Sequence, residues 1–176
     1  MATKGVDMST RVVVADWIKR IADDERKRDA VRVREEEMAA RKADLVRLNG
    51  RRLIDELRAT VTHDVEAFRA EFAGDHVRDV VLETMEPDGG FVVRKPAAPA
   101  VSLTVAPHLD AAAMDCHYRF TPTNGMPPRD DRFELVFAGD EGPALQIKHH
   151  GTGQRFATAD ALSEFLLVPV FTGRPR

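Results

Sequence analysis

The chain has 176 residues, of which 43% are hydrophobic but only 6% aromatic, enough for one modest core of Val, Leu, Ile and Ala with Phe as its large filler. Charged residues make up 31% at a formal net charge of −3, so acid and base are mixed, the pattern of a solvated helix face rather than of a surface for polyanions. The single cysteine, Cys116, excludes an internal disulfide framework and a multi-thiolate zinc site, and it fits a reducing compartment.

In chain order, Met1 to Thr10 carries no apolar stretch, and the apolar residues from Val12 are soon interrupted by Asp16, Lys19 and Arg20. That is not a secretory leader, and no apolar run reaches the roughly 18–20 residues that cross a bilayer. A cytoplasmic protein with no membrane partner is expected. Ser9 or Thr10 can cap a helix whose stripe is Val13, Val14, Trp17, Ile18 and Ile21. Three consecutive valines would also suit a strand at 11–15, but Trp17, Ile18 and Ile21 extend the 3.6-residue period.

From Ala22 to Asp44 the stripe thins. Trp17, Val31, Met38 and Leu45 lie on one seven-residue row, the mark of a coiled coil, yet Asp24 interrupts it and the companion row is largely Arg and Lys. Pairs such as Asp16–Arg20, Asp23–Lys27, Asp24–Arg28 and Glu37–Arg41 should support the helix in water by a few tenths of a kcal/mol each. Asn49-Gly50 then predicts a break or kink. The residues 1–49 thus form a charged helical arm, and 50–176 an α+β domain.

That domain opens on the clearest amphipathic helix, with Ile54, Leu57, Val61, Val65, Phe68 and Phe72 stepping by three or four and Leu53 widening the stripe. It should end near Ala73-Gly74. Beyond it the period becomes alternating. Strands are expected at Val77–Met85, Phe91–Arg94, Val101–Ala106, Ala113–Thr121, Arg132–Ala138 and Leu145–His150. Pro96–Pro99 reads as a stiff extended connector, Pro122–Asp131 as an exposed loop and Gly139–Pro143 as a hairpin turn. A last helix should run from a Thr158 cap to Leu167, with Leu162, Phe165 and Leu166 facing inward and Pro169 stopping it.

Alternation assigns the two sheet faces. Inward fall Val101, Leu103, Val105, Met114, Cys116, Tyr118, Phe120, Phe133, Leu135, Phe137, Leu145 and Ile147. Outward fall Ser102, Thr104, Asp115, His117, Arg119, Arg132, Glu134, Gln146, Lys148 and His150. The fold class is therefore α+β: a long N-terminal helical arm, then an antiparallel sheet covered on one face by helices.

The outward row Asp115, His117, Arg119, with Lys148 and His150 on a neighbouring strand, could hold an anionic ligand or tune a histidine for proton transfer. It could equally be cross-strand charge pairing that keeps an open face wet. The six histidines form no paired-ligand motif, and His149-His150 must point to opposite faces. No metal and no cofactor are expected. Cys116 reads as an inert buried thiol, since its neighbour His117 faces the other way. Ser9, Ser102 and Ser163 lie in no nucleophile-elbow context, and Gly151-Thr152-Gly153 reads as a turn. The basic cluster Arg26-Lys27-Arg28, Arg32 and Arg34 is cancelled by Asp23, Asp24, Glu25, Asp29 and Glu35–Glu37, which speaks against nucleic acid.

Two functions follow as expectations. One is a non-enzymatic interaction or assembly protein that self-associates, or binds a protein partner, through the arm and its patch Trp17, Ile18 and Ile21. The alternative is a small ligand-binding or catalytic domain using the polar sheet face around His117.

Overall fold

The computed structural model describes residues 15–121, 128–139 and 144–175. The expected helix start at Ser9 or Thr10, and Val13 and Val14 with it, lie outside them. The chain forms two compact units, one up to Ala40 and one from Arg41. Helix α1, Asp16–Leu45, has residues in both.

Asn49-Gly50 does not interrupt the helical backbone as its composition suggests. Val46–Gly50 form a π-helical turn that leads straight into α2, Arg51–Glu71, with Gly50 itself helical at φ −60°. The reason for glycine is space rather than flexibility. A Cβ on Gly50 would stand 3.1 Å from the Leu109 Cδ2 and 3.6 Å from the Leu135 Cδ2, so the bare backbone lets the helix lie close to the sheet. Val46, on the same turn, is buried with Leu135 and Leu145 in a small cluster.

α2 buries Ile54, Leu57, Val61 and Val65, the stripe its periodicity prescribes. Phe68 stacks on Phe171 with ring centres 4.1 Å apart, whereas Phe72 has left the helix and lies exposed under the Arg78 guanidinium. The stretch from Val77 is not yet strand. The Asp75 carboxylate accepts the Val77 backbone N–H at 2.9 Å, and the Arg78 N–H reaches the Asp75 carbonyl at 3.1 Å. Those bonds wrap the chain in turns, and β1 begins only at Val81.

Seven antiparallel strands follow in sequence order, a simple meander: β1 Val81–Met85, β2 Gly90–Lys95, β3 Ala100–His108, β4 Ala113–Thr121, β5 Arg129–Phe137, β6 Leu145–His149 and β7 Arg155–Phe156. Residues 96–99 are a bent connection instead of an extended spacer, held by the Lys95 ammonium, which donates to the Pro99 carbonyl at 3.0 Å. The join after β3 is a 3-10 turn, Leu109–Ala111, closed by Ala112 in the left-handed region. Arg129–Asp131 belong to β5 rather than to the preceding loop, so that strand starts three residues earlier than its apolar content indicates. Residues 122–127 and 140–143, the rest of two expected turns, lie outside the described set.

Gly151-Thr152-Gly153 does turn the chain, into the two-residue strand β7 that its sequence does not announce. Thr158 caps α3, Ala159–Thr172, by accepting the Ala161 N–H at 3.2 Å. Pro169 lies inside this helix and does not stop it. Proline removes one N–H and crowds the preceding turn, but α3 is apolar on nearly all sides, and burial of Leu162, Phe165, Leu166, Leu167 and Val170 holds the last turn in place. Gly173 ends it at φ 68°, its N–H donating to the Pro169 carbonyl at 3.0 Å.

The core is one layer deep. α2 and α3 lie against one sheet face, where Phe91, Val93, Val101, Leu103, Val105, Met114, Cys116, Tyr118, Phe120 and Phe133 are all buried. The inward and outward assignments of β3 to β6 hold, except that Phe137 is only half-buried. This is an α+β fold: a long N-terminal helix, an antiparallel sheet and a helical layer on one face.

Candidate functional site

Two surfaces bear the residues that stand out in the sequence. The first is the exposed side of α1. None of its thirty residues is buried. Trp17, Ile18 and Ile21 are 58%, 41% and 54% exposed, and Val31 and Val33 are exposed as well. What surrounds them is charge. Asp16, Asp23 and Asp24 reach the base three positions on, Lys19, Arg26 and Lys27, rather than the one four positions on. Glu25–Arg28 and Asp29–Arg32 follow the same spacing at 2.7 and 3.1 Å. All these pairs are solvent-exposed, so each contributes little.

The second surface is the open sheet face. In β4 and β5, His117 is paired across strands with Asp130, and Asp115 with Arg132. The His117 Nδ1 is hydrogen-bonded to the Asp130 carboxylate. Asp115 lies between two bases, with the Arg132 Nη1 at 3.5 Å and the His108 Nε2 at 3.3 Å. His150 meets the Glu134 carboxylate at 2.9 Å. That hydrogen bond, chiefly, holds the Glu134 carboxyl below its ordinary range against the opposing effect of burial, aided by the charges of His150, Lys148 and Lys42.

Asp115 and His117 share a shallow recess of about 350 Å³ with Thr104, Asp130 and Arg132. Arg119 belongs to a separate, smaller hollow of about 140 Å³ beside Arg94 and Ser102. Lys148 stands on β6 opposite Glu134, and His150 follows the end of that strand. The five polar residues singled out in the sequence therefore do not converge. Two share one recess, one lines another, and two gather around Glu134.

Sequence reasoning passes over a third group, on the inward face. His149 and Asp131 are both buried, and the His149 Nε2 is 3.2 Å from the Asp131 Oδ1. The Thr152 backbone N–H donates to the His149 Nδ1 at 3.0 Å, which leaves the ring proton on Nε2, facing the carboxylate. The Arg129 Nη2 approaches the other carboxylate oxygen at 3.1 Å, with its guanidinium 5.9 Å from the Tyr118 ring centre. The His149 ring also packs edge-on to Phe133. Alternation alone could have found Asp131, two residues before Phe133 on the same face.

No family model, no curated protein and no solved structure matches the chain.

What the arrangement can do chemically therefore rests on its own geometry. Cys116 is paired across strands with Asp131, and its thiol is pushed well above the ordinary range, first by burial and then by the charges of Asp131 and Asp115. Such a thiol is a poor nucleophile. The buried Asp131–His149 pair ties β5 to the Gly151–Gly153 turn, a positioning role. Among the described residues no group of His, Cys, Asp or Glu has metal-site geometry, and no helix is long and apolar enough to cross a membrane.

Proposed function

We propose that the chain is a non-enzymatic assembly protein that self-associates through its N-terminal helix. The observation that carries this reading is a thirty-residue helix with no buried residue, which exposes Trp17, Ile18, Ile21, Val31 and Val33. A lone exposed leucine or valine is ordinary on a protein surface, whereas an exposed tryptophan within one turn of two isoleucines is a patch that gains from a partner. Exposed ion pairs add only a few tenths of a kcal/mol apiece to such a helix. Covering even two of its large side chains contributes roughly 1.5–3 kcal/mol each. A second copy supplies a matching helix by symmetry.

Ligand binding around His117 is supported less well. The basic side chains there, His117, Arg132, His108 and His150, already face carboxylates, which leaves fewer donors for an anion.

The test is light scattering on the intact protein at micromolar concentration. The expected mass is at least twice the 19.6 kDa of one chain. The double substitution Trp17→Asp and Ile21→Asp should return it to one chain with its thermal transition retained. A single-chain mass for the unaltered protein overturns the proposal.

A further inference from the structure

One face of α1 carries a seam that steps alternately by four and three residues: Trp17, Ile21, Asp24, Arg28, Val31, Glu35, Met38. Of its apolar members, Trp17, Ile21 and Val31 are each more than half exposed, at 58%, 54% and 58%, whereas Met38 at the C-terminal end is partly buried. Asp24, Arg28 and Glu35 are exposed too. The seam is not apolar throughout, and its charges discriminate between ways of pairing two such helices.

In a parallel, in-register pair every seam residue meets its own copy. Asp24 would face Asp24, Arg28 would face Arg28, and Glu35 would face Glu35, three like-charged layers in succession. In an antiparallel pair each layer joins two different positions. With the two-fold axis at Arg26, Ile21 meets Val31 of the second copy and Asp24 meets its Arg28. Trp17 meets Glu35, whose carboxylate can accept the indole N–H. The outer layer thus joins an indole N–H donor to a carboxylate, and the two inner layers match, apolar with apolar and acid with base. Neighbouring registers do not. Moving the axis half a heptad toward the C-terminus sets Asp24 against Glu35, and moving it the other way sets Ile21 against Asp24.

We infer that two copies of the chain pair antiparallel along α1, centred at Arg26, with the Ile21–Val31 and Asp24–Arg28 contacts each formed twice. The inference rests on the self-association proposed above and adds its direction and register. Arg20, Lys27 and Arg34 form a basic ridge beside the seam that lies along its counterpart in this arrangement. That ridge opposes the pairing, and Asp24, 3.9 Å from Lys27, offsets it in part.

Single cysteines read out direction. Ile21→Cys and Val31→Cys are made in separate full-length chains, mixed, and oxidised gently. Cys116 is buried and does not compete. The expected product is a disulfide between the two different variants, with Ile21→Cys alone giving little cross-linked dimer. A second pair of variants reads out register: Asp24→Arg should weaken the dimer by about tenfold or more, because like charges across an interface are strongly unfavourable, and adding Arg28→Asp should restore it to within about threefold. If light scattering shows a dimer but Ile21→Cys links to itself, or the charge exchange fails to restore association, the antiparallel register is wrong while self-association stands. If the unaltered protein is a single chain, self-association itself is wrong.

Discussion

The Tyr118 hydroxyl donates to the Leu166 carbonyl at 3.0 Å, a buried bond that ties the middle of β4 to α3 through the apolar core. The acceptor stands next to the Phe165 carbonyl, the one that Pro169 leaves without a helical N–H donor. Removing the hydroxyl leaves a carbonyl in the core without this partner. Tyr118→Phe should therefore cost about 0.5–1.5 kcal/mol with little change of volume. Urea denaturation should show a lower midpoint at unchanged slope; a changed slope would mean that packing, not the bond, was altered.

Asp131 and His149 depend on each other. With Arg129 they make a buried polar group in which removal of one member strands the others, so Asp131→Ala should cost about 3–5 kcal/mol. Replacing both, Asp131→Leu with His149→Leu, should cost clearly less than the two single changes added together. A double-mutant cycle by chemical denaturation measures the coupling, and strict additivity would show that the pair does not act as a unit.

Gly173 meets two demands at once. It holds φ 68°, and a Cβ there would overlap the Pro99 ring. Gly173→Ala should destabilise the fold by about 1–3 kcal/mol, while the exposed Gly153, also at positive φ but with open space around it, should lose less on the same change. Thermal unfolding of the two variants side by side gives the comparison.

Cys116 makes a pH-dependent prediction. Its thiol is held protonated in the folded chain well above 9.0, whereas in the unfolded chain it ionises near that value. Above it the unfolded state therefore binds fewer protons, and stability must fall as pH rises. Cys116→Ala should flatten that alkaline limb, at the expense of some stability at neutral pH. In the native protein the thiol should react with a maleimide at least ~1000-fold more slowly than in denaturant, since reaction requires opening of a core strand.

The sequence and the fold agree where one signal dominates. Strict alternation puts Val101, Leu103 and Val105 on the same face as Phe120, Tyr118 and Cys116, and the spacing of Ile54, Leu57, Val61 and Val65 marks the buried face of α2. Disagreement arises where local chemistry and tertiary context compete. Arg129-Asp130-Asp131 looks like loop because it is charged, yet Asp131 is buried because His149, 18 positions on, meets it from another strand. Gly50 and Pro169 are breakers by propensity and helical in fact, the first where a side chain would crowd Leu109, the second because the surrounding core is apolar. On the polar face alternation finds the right residues but not their grouping. Which of Asp115, His117, Arg119, Lys148 and His150 share a recess depends on strand register.

The meander has a consequence for how the molecule is put together. Every strand bonds only to its neighbours in the chain, so the sheet can zip up hairpin by hairpin with short excursions. The joint between α2 and α3 is different. Ser163 donates to Asp64 at 2.6 Å across a separation of 99 residues, and the helices that meet there are supplied from before the first strand and after the last. That joint closes a loop containing the whole sheet, so its entropic toll falls at the final step. A chain cut short of Ala159, or caught before this clasp shuts, would hold a fully paired sheet with much of its greasy side bare to water.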